Sequence, residues 1–224
     1  MPAPGGPADK FGNRYETLWA IDRLLRIVDA AAMHLTLEPL DRDESRGIEF
    51  TVDLFDGSKE YWSVKRQTTR ASGWTLGLLS ASDGRGRAIL SDLITHAARG
   101  DSHRGVFAST LGAPELEELR LHAATKEVFE GRLTRSNDLR SGFLEYVVPL
   151  CDGDRERART LLVQLQTHAS DETQLRERVN FTIRKLFYAT NGARMDEDAV
   201  RGYLSDLLLD QIHRPIDRQT ILQA

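Results

Sequence analysis

A mixed α/β fold, with helices and a small sheet interleaved in the first half and helices in blocks in the second, is the class this sequence predicts. Three observations carry it. Apolar residues recur at helical spacing from Asn13 to about Ala31, as Leu18, Ile21, Leu24, Leu25 and Val28. Residues 47–67 read GIEFTVDL, FDGSK, EYWSVKRQ, two alternating strands meeting at an Asp56-Gly57 turn. From Pro114 onward amphipathic helical blocks follow one another, separated by glycine and acidic turns.

The elements follow in order. Asn13 is placed to cap the first helix, with Glu16 three residues on as the reciprocal half of a capping box. In MHLTLEPL, Met33, Leu35 and Leu37 alternate with polar neighbours as in a strand that Pro39 ends, and Glu38 lies at its end. DRDESR (41–46) is a charged loop, and the hairpin follows. After Gln67 come TTRASG, a short apolar piece WTLGLL, and SASDGRGR, a loop by composition. Ala88 to Ala98 is helical, Arg99-Gly100 marks its end, and GVFAST (105–110) is a buried strand. The order is therefore helix, strand, strand, strand, helix, strand. Beyond it, Pro114 to Glu130 opens as helices prefer, with proline and glutamates. Phe143–Val148 fits strand or helix equally. Asp154–His168, Asp171–Tyr188 and Asp196–Ile212 read as three further helices. The last residues, HRPIDRQTILQA, carry no terminating signal, which suits a piece of a longer polypeptide or a tail that docks on something outside this chain.

The hairpin holds the candidate site. A three-residue loop, Gly57 to Lys59, pairs Asp56 with Glu60, Asp53 with Ser63, Thr51 with Lys65 and Glu49 with Gln67. Ile48, Phe50, Val52, Leu54, Trp62 and Val64 then share the core face; Glu49, Asp53, Ser63, Lys65 and Gln67 share the other. A strand slipped by one residue turns its side chains over, so the apolar pattern favours this register. Carboxylates hold a divalent metal, and a lysine steadies a phosphate as a compact point charge. Glu38 and Glu16 are placed to complete a ring of acids. The plainer reading of the same residues is a solvated polar face, with Lys65 as cross-strand partner of Glu49 or Asp53.

Bulk properties constrain the rest. The 224 residues are 40% hydrophobic, enough for a core, and carry a net charge of −4, so any nucleic-acid contact needs a local basic stripe. Arg66, Arg70, Arg85, Arg87 and Arg99 cluster in sequence near the hairpin exit and supply one if they share a face with Lys65. The single cysteine, Cys151, excludes an internal disulfide and suits a buried thiol in a reducing cytoplasm. No apolar run nears the ~20 residues of a membrane span. Phosphate loop, H-E-x-x-H, paired C-x-x-C and nucleophile elbow are all absent. His96 and His103 flank an arginine-rich helix end, which suits dipole capping better than metal binding.

Together the element order and these residues resemble the PD-(D/E)XK nuclease fold. They are more closely similar to the nuclease domains of bacterial antiphage effectors: cyclic-nucleotide-gated DNA endonucleases of CBASS systems and N-terminal effector domains of STAND-type NTPases. The resembling pieces are GNRYETLWAIDRLL, LTLEPL, GIEFTVDLFDG and EYWSVKRQ, covering residues 11 to about 110. The resemblance implies a restriction-endonuclease-like αβββαβ core over 1–112, with a helical region, 113–224, packed on it or linking to a further domain. It implies Mg²⁺ or Mn²⁺ as cofactor, double-stranded DNA as substrate, and action as an oligomer or within a larger multidomain assembly. Glu16, Glu38 and Glu49 fall on the family's acids, and Ser63-Val64-Lys65 falls on its (E/Q)-x-K triplet. Lys65 and Glu49 are thereby the catalytic candidates; Glu49, Glu38, Glu16 and Asp53 the metal candidates; Arg66 and Arg70 the DNA contacts. Two positions depart from the pattern: Glu49 replaces an aspartate, and Ser63 replaces the acid or amide. Gln67 or Asp53 is placed to take over from Ser63. The alternative is a catalytically inactive nuclease-fold module used for oligomerisation or partner binding.

Overall fold

A computed structural model describes residues 14–40, 45–66, 73–84, 86–191 and 196–223. Its first half holds helix α1 (Arg14–Val28), strands β1 (His34–Leu37), β2 (Phe50–Asp53) and β3 (Lys59–Lys65), helices α2 (Leu76–Ser80) and α3 (Ile89–Ala97), and strand β4 (His103–Ser109). Helices α4 (Pro114–Ala123), α5 (Lys126–Arg135) and α6 (Asn137–Gly142) follow, then a π-helix (Phe143–Val147) and a 3₁₀ turn (Val148–Cys151). Last come α7 (Arg155–Val163), β5 (Leu165–Ala169), α8 (Glu172–Asn191), α9 (Glu197–Asp210), β6 (Pro215–Ile216) and α10 (Arg218–Gln223). The fold is mixed α/β, and the six elements expected of its first half are present in the expected order, with the short α2 added.

By packing the chain divides into two compact units, each drawn from both sides of residue 112. One takes the described residues of 1–45, 49–58 and 171–224, the other 46–48 and 59–170. In the first, β1 is the middle strand, antiparallel to β2 and to β6. Leu35, Leu37, Phe50 and Val52 are no more than 1% exposed. Twelve of the fifteen residues of α1 are buried, because α8, α9 and α10 cover it as well as β1. Along the α1–α8 contact, the Arg178 guanidinium lies 4.8 Å from the centre of the Trp19 ring. Its Nε donates to Asp22 at 2.9 Å, so one arginine satisfies a buried carboxylate and covers an indole.

In the second unit β3, β4 and β5 run parallel in that order, with Trp62 beside Val106 and Val106 beside Gln166. Phe107, Leu90, Leu93, Leu116, Leu162 and Leu165 are completely buried in its core. Trp74 packs edge-to-face on Phe107, centroids 5.4 Å apart, as its apolar neighbours in sequence suggest. Cys151 is 1% exposed, and burial pushes its thiol pKa up. Gly105 is where α3 crosses β4: a Cβ there would lie 2.7 Å from the Leu93 carbonyl oxygen. Gly47 makes a second close approach, at φ +66°, where a Cβ would lie 2.3 Å from Asp92 Oδ2.

Several expectations are corrected. The helix read over Asp154–His168 ends at Val163, and Leu165–Ala169 is a strand. Leu161, Leu162 and Leu165 fit a helical face, but Leu165 is claimed by parallel pairing with Gly105. The block opening at Pro114 breaks into α4 and α5 at Ala124-Thr125. Phe143–Val148, ambiguous in sequence, becomes a π-turn running into a 3₁₀ turn at Pro149. The closing residues form β6 and α10, so the tail docks on β1.

Candidate active site

The acids of the first unit are placed by the β1–β2 ladder. His34 pairs with Asp53, Thr36 with Thr51 and Leu37 with Phe50. One step further, the Glu38 N–H donates to the Glu49 carbonyl at 3.0 Å. Glu38 and Glu49 are thus opposite one another at one end of the ladder. Asp53 shares a strand face with Glu49 and Thr51, but stands four residues away, about 13 Å at strand rise. Two carboxylates so spaced cannot share an ion. Glu16 is half-buried in the first turn of α1. Among the described residues, no three His, Cys, Asp or Glu side chains converge on a metal-sized point.

Glu38 is also strained. Its φ is +39°, in the left-handed region, and Pro39 follows it, which makes that conformation harder still. The tail holds it there. The His213 N–H donates to the Leu37 carbonyl at 3.1 Å, and His213 Nδ1 lies 2.5 Å from the Glu38 carbonyl oxygen. A carbonyl only accepts, so Nδ1 carries the proton. His213 is itself left-handed, φ +69°. Sequence reasoning missed this clamp, since neither positive φ nor a bond spanning 175 residues has a local signature.

The hairpin turn differs from the expected one. The Leu54 N–H donates to Ser58 O and the Gly57 N–H to Leu54 O, at 2.9 and 3.1 Å. The loop is therefore Phe55–Gly57, not Gly57–Lys59. The Asp56 carboxylate accepts from the Ser58 N–H and hydroxyl, at 2.9 and 2.6 Å, and Gly57 takes the left-handed position at φ +79°. Asp-Gly chemistry thus fixes the turn two residues earlier than apolar alternation suggests.

In the second unit Tyr61, Ser63 and Lys65 alternate onto one face of β3, in register with Gly105, Phe107 and Ser109. Ser63 is 1% exposed beside Phe107, and its Oγ has no partner among the described residues. A buried hydroxyl in that setting is not a metal ligand. Lys65 ends the strand, half-buried opposite Ser109, and Arg66 is exposed just beyond. Gln67 and Arg70, with Arg85, lie outside the described residues. Two arginines of the expected stripe are engaged: Arg87 pairs with Asp83 at 3.5 Å, and Arg99 lies over the Tyr61 ring at 5.6 Å. His96 is no exposed dipole cap. It is fully buried, stacked on Tyr61 at 4.5 Å, with Nε2 at 2.9 Å from the Arg46 carbonyl.

Mg²⁺ is commonly held by one or two carboxylates, with waters and substrate phosphate filling its other positions. Glu38 and Glu49, opposite one another through their backbones, carry oxygen donors of that hard kind. The other expected acids do not join them in a three-acid cage.

What fold and site define is a mixed α/β domain carrying paired strand-end carboxylates. No family model matches the chain, and no curated protein matches it in sequence. Solved structures do. The Acinetobacter baumannii Cap4 SAVED/CARF-domain containing receptor is 14% identical, with a TM-score of 0.56 over 100% of this chain and 46% of that one. The same receptor with the cyclic trinucleotide 3′3′3′-cAAA gives 0.55, again at 14% identity, over 100% and 47%. The Moraxella osloensis Cap4 SAVED/CARF-domain containing receptor gives 0.52 at 12% identity, over 95% and 46%. The chain is similar to these in fold and spans less than half their length. Among the described residues no helix is long and apolar enough to cross a membrane.

Proposed function

We propose that this chain is a metal-dependent DNA endonuclease domain of a bacterial antiphage defence protein, acting in the cytoplasm as part of a larger assembly. The carrying observation is the Glu38–Glu49 pair at the end of the β1–β2 ladder, one member held in a strained conformation by His213. Backbone strain that the surroundings enforce clusters at functional sites. The nuclease-like order of elements supports the same reading. So does a fold shared with receptors whose own chains are more than twice as long. In this reading Glu38 and Glu49 hold Mg²⁺ or Mn²⁺, which supplies Lewis-acid activation of phosphodiester and water. Lys65 orients and neutralises the attacked phosphate of double-stranded DNA, and Arg66 and Arg70 track its backbone. Glu16 and Asp53 are left as supporting acids rather than ligands.

A second reading, a catalytically silent nuclease-fold module for oligomerisation or partner binding, is favoured by one observation: Ser63 is buried where the related pattern has an acid or amide. Plasmid nicking with Mg²⁺ or Mn²⁺ separates the two. The wild-type protein is expected to nick, and Lys65→Ala and Glu49→Gln to lose about a hundredfold or more, the scale of one electrostatic group at a phosphoryl site. Equal nicking by all three, or none by any under activating conditions, discards the endonuclease. Absence of any site-specific Mn²⁺ heat by calorimetry then selects the silent module.

A further inference from the structure

We propose a second ligand site in the helical layer of the second unit, a pocket for a nucleoside monophosphate. It goes beyond the endonuclease reading and does not depend on it. The cavity is about 350 Å³ and lies between α5, α6, the π-helix and α7, within the roughly 300–1,000 Å³ range of small-molecule sites. Its floor is apolar. Phe129 and Phe143, 3% and 2% exposed, meet edge-to-face at 4.9 Å, and the half-buried Leu133 and Leu144 form the wall.

The rim is cationic. Arg140, Arg155 and Arg159 line it with two carboxylates, Glu130 and Glu156. Arg159 and Glu156 neutralise one another through two bonds of 3.1 and 2.6 Å, and Arg159 also donates to the Ala123 carbonyl. Arg140 and Arg155 have no hydrogen bond or ion pair to an acid among the described residues. Arg155 is moreover the first residue of α7, where the helix dipole already presents positive charge and a basic side chain is unfavourable. A phosphate there meets two forked guanidiniums and the dipole together, which is the geometry these donors suit. Glu130, the remaining carboxylate, suits a hydroxyl or amino donor on the same ligand. The π-helix supplies Phe143 and Leu144 to the lining; π-turns interrupt α-helices mostly at functional places. Phosphate, apolar ring and hydrogen-bond donor within one small molecule describe a nucleoside monophosphate.

The test is calorimetry of the full chain, without metal or DNA, titrated with AMP, GMP, CMP and UMP, and separately with inorganic phosphate and adenosine. At least one nucleotide is expected to bind one-to-one. The Arg140→Ala/Arg155→Ala variant is expected to weaken it about tenfold or more. Both positions are exposed, so the variant keeps its fold, which a thermal melt checks. Leu144→Trp, filling the cavity from its wall, is expected to remove binding while Arg140 and Arg155 remain. Lys65→Ala is expected to bind as wild type does, keeping this result separate from nuclease activity. No saturable binding of any of the four nucleotides, unchanged affinity in the double-arginine variant, or inorganic phosphate binding as tightly as the nucleotide would each overturn the proposal.

Discussion

The His213–Glu38 contact allows a sharp test of how strain is held near the paired carboxylates. Two opposing contributions meet at His213. Its ring donates to the Glu38 carbonyl at 2.5 Å, and a bond between neutral groups in a half-buried place contributes about 1 kcal/mol. Its backbone, at φ +69°, costs a non-glycine residue about 1–2 kcal/mol. His213→Ala removes the bond and keeps the strained backbone, so the protein should lose about 1 kcal/mol. For a chain of this length that is about 2–4 °C in the melting midpoint. His213→Gly also removes the bond but relieves the backbone, partly offset by the greater freedom of glycine in the unfolded chain. It should melt within about 1 °C of wild type. Thermal melts by circular dichroism, run side by side, read both. If the alanine and glycine variants melt together below wild type, the left-handed backbone is not the balancing cost. If neither departs from wild type, the imidazole holds nothing.

Gly105→Ala should be strongly destabilising, by about 1–3 kcal/mol, because the new Cβ would meet Leu93 O at 2.7 Å and Leu165 Cδ2 at 2.9 Å; a urea midpoint equal to wild type would show that α3 shifts freely. Glu117 gives a pH prediction. Its bonds to Arg120, opposed by burial and helped by the Thr167 hydroxyl, hold its carboxyl below the ordinary 4.5. A carboxylate lowered on folding stabilises fully above its unfolded pKa and loses that contribution as pH falls through the folded value. The stability gap between wild type and Glu117→Gln should therefore be flat at neutral pH and close in acid, measured by urea melts at stepped pH; a gap that widens in acid contradicts the assignment.

Much of the first half of the fold is legible in the sequence, because its signals are periodic and local. The stripe of α1 and the alternation of β1 and β2 each act within a few residues. What is not legible depends on distant partners. LQTHA has one leucine and no alternation, and becomes β5 only because β4 offers it a parallel edge. Apolar alternation puts the hairpin loop at Gly57–Lys59, and Asx chemistry sets it at Phe55–Gly57 instead. For the site, strand-end acids are visible as candidates. That Glu49 meets Glu38, while Asp53 sits at the far end beside His34, is fixed by a register that a single strand does not encode. Gly105 and Gly47 likewise owe their identity to a helix backbone and an aspartate far along the chain.

The interleaving of the two compact units sets an order of events during synthesis. Helix α1 buries nearly its whole circumference, and much of that cover comes from α8 and α9, translated some 150 residues later. At about 5–20 residues per second, its apolar surface waits on the order of ten seconds for a partner. The segment 59–170 is complete before that and carries its own core. Nascent chains therefore pass through a stage with the middle of the protein folded and its leading helix uncovered, the stage at which a holdase would find most to bind.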